Sequence, residues 1–184
     1  MDRGVYDAAE LAHLLGHDVD WVVRWSTPSG GRPAIVPPTF ERAFSFTDLV
    51  SFRTAQLIRS MGVSDQALRT GLAVLRVQTQ SQHPLASRAI LQQLATSGAS
   101  FLADVAGEGY EDIGRAGQVF QDAVRIYLAK IEFDPADEPT AWRPADGVRI
   151  DPRIQAGAPC VDGTRIPTAT VATMLVDDAG RRGT

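Results

Sequence analysis

Apolar positions near the N-terminus fall at helical spacing. Leu11, Leu14 and Leu15 repeat at i, i+3 and i+4, which marks one buried stripe of a short helix that stops at Gly16. Asp18 is placed to cap a second helix, with Asp20 adding negative charge to its first turn. In that helix Trp21, Val22 and Trp25 lie towards the core, and Asp20, Val23, Arg24 and Thr27 lie on the other face. Two short helices joined through a glycine make a helix-turn-helix pattern, with the second as the recognition helix. The next stretch, PSGGRPAIVPPTFERAFSF, is too rich in Pro and Gly to be helical. It predicts a wing hairpin, with strands at Ala34–Val36 and Arg42–Phe44 and the turn at Pro37-Pro38. A strong helix capped by Ser45 or Thr47 then runs to Gly62. Ser64 caps a further one, where Leu68, Leu72 and Leu75 share a face.

Beyond His83-Pro84 the pattern predicts a helix ending at Gly98. A strand carrying Phe101, Ala103 and Val105 follows, then a turn at Gly107-Glu108-Gly109 and a return strand over Tyr110–Ile113. Phe120, Val124, Tyr127, Leu128 and Ile131 mark another amphipathic helix, and FDPADEPTAWRP reads as an acidic, Pro-rich linker. Val148–Ile150 is a strand signal. Pro159–Val161 and Thr164–Ile166 flank Asp162-Gly163, the pattern of a two-residue type I′ hairpin. Thr168 then starts a helix with Val171, Met174 and Leu175, and Gly180–Gly183 reads as a disordered or protease-sensitive edge. The fold class expected is mainly α with short β-hairpins (α+β). The expected division is a winged helix over 1–80, a small α+β segment and linker over 81–140, and a hairpin plus helix over 141–184.

Composition narrows the function. Eighteen basic residues against twenty-two acidic ones give a net charge of −4, so charge alone does not bring this chain to nucleic acid. Lys130 is the single lysine. No apolar run reaches the ~20 residues of a membrane span, and the N-terminus lacks the apolar core of a signal peptide. The lone Cys160 offers neither an internal disulfide nor a metal framework. A cytoplasmic location is expected.

Arg24, Thr27, Arg32 and Arg42 are the candidate DNA contacts, because a groove-entering helix and its wing need exposed donors for phosphates and base edges. The competing reading of Arg24 is an i, i+4 pair with Asp20. Residues 1–43 carry four arginines (Arg3, Arg24, Arg32, Arg42) against six acids (Asp2, Asp7, Glu10, Asp18, Asp20, Glu41), a net −2 that favours a protein-binding surface. Trp21 and Trp25 suit core packing better than base stacking. His13 and His17 have ligand spacing, but Gly16 intervenes and no third ligand lies near. Cys160 has no histidine after His83 to activate it, and Arg165 suits locking its own turn. No Walker loop, dinucleotide fingerprint, triad or catalytic carboxylate pair occurs. No enzyme, catalytic residue, cofactor or metal site is expected.

Two resemblances sharpen these expectations. Residues 5–76 resemble the MerR-type winged-helix DNA-binding domain through AAELAHLLG, the apolar second helix, a wing ending in Phe44 and TDLVSFRTAQLIRSMGVSDQAL. The long dimerising coiled coil and the metal-sensing cysteines of that family have no counterpart here. Residues 148–178 resemble the domain of unknown function numbered 433 through Ile150-Asp151-Pro152, Gly157-Ala158-Pro159 and Gly163-Thr164-Arg165-Ile166-Pro167. The family's later helices are missing from this chain. Members of that family are often VapB-like antitoxins encoded beside PIN-domain ribonuclease toxins. The resemblance therefore implies an antitoxin that binds such a toxin, represses its own promoter and works as a homodimer on operator DNA. The residues that touch the toxin are not identified by it. The alternatives are a degenerate winged helix that binds protein only, and a stand-alone MerR-like regulator.

Overall fold

The structure is a computed structural model that describes residues 4–106 and 114–182. Helices dominate, with two small antiparallel sheets, as the apolar periodicity predicts. Helix α1 (Ala8–Leu15) begins in a capping box: Asp7 accepts from the N–H groups of Ala9 and Glu10, and Glu10 accepts from the N–H of Asp7. Gly16, at φ +71°, ends it in the left-handed conformation. Asp18 caps α2 (Val19–Ser26) through the N–H of Trp21. Ser45 and Asp48 form the box that starts α3 (Phe46–Ser60), and Ser64 caps α4 (Asp65–Thr79).

The wing is the first departure. Ala34–Val36 is buried but pairs with no strand; instead the N–H groups of Ile35 and Val36 both donate to the carbonyl of Trp25. Strand β2 (Phe44–Ser45) pairs with β1 (Val5–Tyr6), not with Ala34–Val36. Pro33, Pro37 and Pro38 lack the N–H that a ladder requires, so side chains supply the missing donors. The extended pairing in this segment is one bridge, Ser29 to Arg32, around Gly30-Gly31.

The middle departs further. Helix α5 (Arg88–Ala106) kinks at Ser97 but continues, so Phe101, Ala103 and Val105 are helical and not a strand. Gly98 does not end the helix. It admits the Phe120 ring of α6 (Gly114–Ala129), where an added Cβ would lie 2.7 Å from Cε1. Gly107–Gly109 and Tyr110–Ile113 lie outside the described residues. The stretch expected to be an acidic linker instead contributes strands: β3 (Ile131–Phe133), β4 (Pro139–Ala145), β5 (Val148–Ile150) and β6 (Cys160–Val161) form an antiparallel meander. Its prolines are tolerated because Pro139 opens β4 and Pro144 sits where the β4–β5 register shifts.

The Asp162-Gly163 turn closes through the Thr164 N–H on the Val161 carbonyl. Gly163 has positive φ and Asp162 does not, so it is not type I′. Thr164–Ile166 forms no strand; β6 pairs with β5 on one side and reaches Pro167 by a single bridge. Helix α7 (Thr168–Arg182) takes in Gly180–Arg182 of the stretch expected as a disordered or protease-sensitive edge, and Gly183 lies outside the described residues.

One buried cluster runs from Tyr6 through Trp142 to Ile150, so helices and sheet share a core. Tyr127 stands edge-on to Trp142 and donates its hydroxyl to the Val50 carbonyl. Tyr6 donates to the Gly157 carbonyl across 151 positions, and Gly157, at φ +89°, leaves no room for a Cβ beside that hydroxyl. On the sheet, Glu132 receives Arg143 and Arg149, and Asp151 receives Arg149 and Arg153. Hydrogen bonds from Arg153, outweighing burial, hold the Asp151 carboxyl down at about 2.

A carboxyl depressed on folding contributes stability that is complete above its unfolded value and disappears as pH falls through its folded value. Melting temperatures measured against pH are therefore expected to fall between about pH 4 and pH 2 in the wild type. The profile should flatten over that window in Asp151→Asn. Superimposable slopes would show that this carboxylate contributes nothing.

Candidate nucleic-acid interface

The candidate surface is the outer face of α2 with the loop that follows. Trp21, Val22 and Trp25 are buried, which turns Val19, Asp20, Val23, Arg24 and Thr27 outward. Trp21 stacks on His17 at 3.9 Å and on Trp25 at 4.1 Å, and Trp25 lies parallel to Phe52. These rings are therefore core, not stacking platforms for bases. His17 Nε2 lies 2.9 Å from Gln56 Nε2, and His13 stands apart on α1. No group of three metal-ligating side chains occurs among the described residues.

One residue that sequence reasoning missed fixes this surface. Arg69 of α4 is only 4% exposed, and its guanidinium donates to three carbonyls: Arg24 at 2.6 Å, Thr27 at 2.9 Å and Pro33 at 2.8 Å. Burial lowers its pKa, which for arginine leaves the charge intact. The first two carbonyls belong to the C-terminal end of α2, where peptide dipoles present partial negative charge. Seven residues on, Arg76 repeats the device, donating to the carbonyls of Ile35 at 2.6 Å and Gln82 at 3.1 Å. Asp65 completes the row by accepting from Trp25 Nε1 and from Arg59. The signal was present: Arg69, Leu72 and Arg76 share one helical stripe, so two cations lie within an apolar repeat.

Arg24, Thr27 and Arg32 are thus gathered around one cation, since Arg32 immediately precedes the clamped Pro33. The Arg24 guanidinium is exposed and forms no ion pair among the described residues, so the i, i+4 pair with Asp20 is not made. Arg32 is half-buried and reaches back to the Gly30 carbonyl at 3.4 Å. Arg42 is exposed in a separate turn, closed by Phe40 N–H on the Ala43 carbonyl, and no contact joins it to the other three.

A second constellation lies at the start of α3. Asp48 is fully buried and accepts from Thr39 N at 2.9 Å, Thr39 Oγ1 at 3.0 Å and Ser45 N at 2.8 Å. His83 Nδ1 lies 3.0 Å from Asp48 Oδ1, but the pair is not aligned as a hydrogen bond. Burial lowers the His83 pKa against the opposing pull of Asp48, so the ring is neutral. Cys160 is buried, and burial raises its pKa, which keeps it an unreactive thiol.

Residues 148–181 match the family model described as "Protein of unknown function (DUF433)". The fold is similar to that of the crystal structure of Rv2018 from Mycobacterium tuberculosis, with a TM-score of 0.70 and 28% identity over 94% of this chain and 86% of that chain. No curated protein matches. Among the described residues, no helix is long and apolar enough to cross a membrane.

Replacing Arg69 with Met keeps the aliphatic stem but leaves three carbonyls without a donor. Urea unfolding is expected to show a loss of about 3 kcal/mol. Arg69→Lys should fall between, because an ammonium cannot reproduce the planar fork. Wild-type stability in Arg69→Met would mean that the clamp is idle.

Proposed function

We propose that this chain is a VapB-like antitoxin with a MerR-like DNA-reading unit: it binds and neutralises a partner ribonuclease of PIN-domain type and represses its own promoter. The observation that carries the DNA half is the Arg69 clamp. A helix end and a loop that form no ladder of their own are held by three charge-assisted hydrogen bonds, behind a face that presents Arg24 and Thr27 to solvent. A backbone held this firmly suits a surface that must meet a rigid duplex. A homodimer would set two such faces about one DNA turn apart on a palindromic operator. The antitoxin half rests on the family match and on α7, which leaves Met174, Leu175 and Val176 at 64, 66 and 70% exposure. Exposed apolar side chains of that kind suit a protein partner.

A second reading, a module that binds protein alone, is favoured by the net −2 of residues 1–43 and by the exposure of Val19 and Val23 on α2. Gel shifts on the chain's own promoter DNA, alone and with the product of the neighbouring reading frame, separate the two. The antitoxin reading expects a retarded complex and loss of ribonuclease activity on mixing. Arg24→Ala should weaken DNA binding about tenfold, and Arg42→Ala should lower the slope of log affinity against log salt by about one. No shift at low salt, with or without the partner, would leave the protein-binding reading standing.

A further inference from the structure

A cleft of about 430 Å³ opens where the start of α3 meets the turn between β3 and β4. Phe46, Thr47, His83, Asp134, Glu138 and Thr140 line it. None of these belongs to the α2 face, and the volume is that of a small-molecule site. The walls differ in how far their polar groups are already committed. Asp48, behind them, is satisfied by Thr39 and Ser45 and faces His83 Nδ1. A lone pair on Nδ1 would face the Asp48 carboxylate at 3.0 Å, so although that pair is not aligned as a hydrogen bond, a neutral ring favours its proton on Nδ1 and its acceptor at Nε2. Asp134 uses Oδ1 to accept from the N–H groups of Ala136 and Glu138. Glu138 is exposed and forms no ion pair among the described residues, because Arg88 turns to Asp137 instead. Arg153, the cation in the lining, is engaged by Asp151 through Nε and Nη2.

The cleft therefore offers an imidazole acceptor, two carboxylates and the hydroxyls of Thr47 and Thr140, while its one arginine is already engaged by Asp151. An anion meets two carboxylates there; a cation with an apolar body meets complementary groups on every side. We propose that this cleft is a binding site for a primary alkylammonium, whose N–H groups donate to His83 Nε2 and to the Glu138 and Asp134 carboxylates while its carbon chain lies on Phe46 and Pro139. That cation can belong to a free amine or to a lysine side chain of a protein partner. The chemistry is the same, and the source is settled by experiment.

The test is titration of the ¹⁵N-labelled full chain with 1,5-diaminopentane, with a blocked Gly-Lys-Gly peptide and with inorganic phosphate, followed by amide shifts. Saturable shifts confined to Thr47, His83, Glu138 and Thr140 are expected with the amines and not with phosphate. In Glu138→Gln, an exposed position whose side chain forms no ion pair among the described residues, affinity should fall about two- to fivefold. Tighter binding of the diamine assigns the site to a free amine, and tighter binding of the peptide assigns it to a partner's lysine; both uphold an ammonium site. No saturation by either amine, saturation by phosphate at these amides, or unchanged affinity in Glu138→Gln would each overturn it.

Discussion

The guanidinium of Arg69 sits at the point where α2, the loop after it and α4 meet, and it donates to the carbonyls of Arg24, Thr27 and Pro33 there. The loop over residues 28–43 cannot stabilise itself by strand pairing, because proline and glycine interrupt it and its longest run of buried residues, Ala34–Val36, finds no partner strand. Its carbonyls still have to be satisfied wherever they leave water. Arg69 and Arg76 supply that from one face of α4, and the Trp25 carbonyl takes up the N–H groups of Ile35 and Val36. A buried cation is costly unless fully hydrogen-bonded, and three carbonyls at one guanidinium meet that condition, two of them at the negative end of a helix. The outer face of α2 is thereby fixed in place from behind.

Contacts distant in sequence tie the N-terminal elements to the later ones: Tyr6 reaches Gly157 in the turn before β6, and Tyr127 of α6 reaches Val50 of α3. Within the N-terminal helices, the rings of His17, Trp21, Trp25 and Phe52 fill the space between α2 and α3. Helix α7 stands outside this packing, with its large apolar residues in solvent. A solitary helix of this length is marginal in water.

Much of the helical framework was legible because its signals are local. Asp18, Ser45 and Ser64 cap where their spacing to the following apolar repeat says they should, and Gly16 closes α1. The failures share one cause: the deciding partner lay far along the chain. Phe101–Val105 alternates like a strand, yet Gly98 and Phe120 set α5 against α6 and carry it on as a helix. FDPADEPTAWRP has linker composition, yet Trp142 has Tyr127 and Ile150 to pack and pair with. The candidates Arg24, Thr27, Arg32 and Arg42 could be picked from spacing. Arg69 could not be assigned its role, since nothing in its neighbourhood names the carbonyls of residues 24, 27 and 33.

If the clamp exists to position a DNA-reading face, that dependence can be measured directly by anisotropy titration of labelled promoter duplex with Arg69→Met, at a temperature where circular dichroism shows its helices intact. The expected result is native helix content with affinity reduced at least as far as by loss of Arg24 itself. Undiminished affinity in a folded Arg69→Met protein would contradict the link between the clamp and the surface it supports.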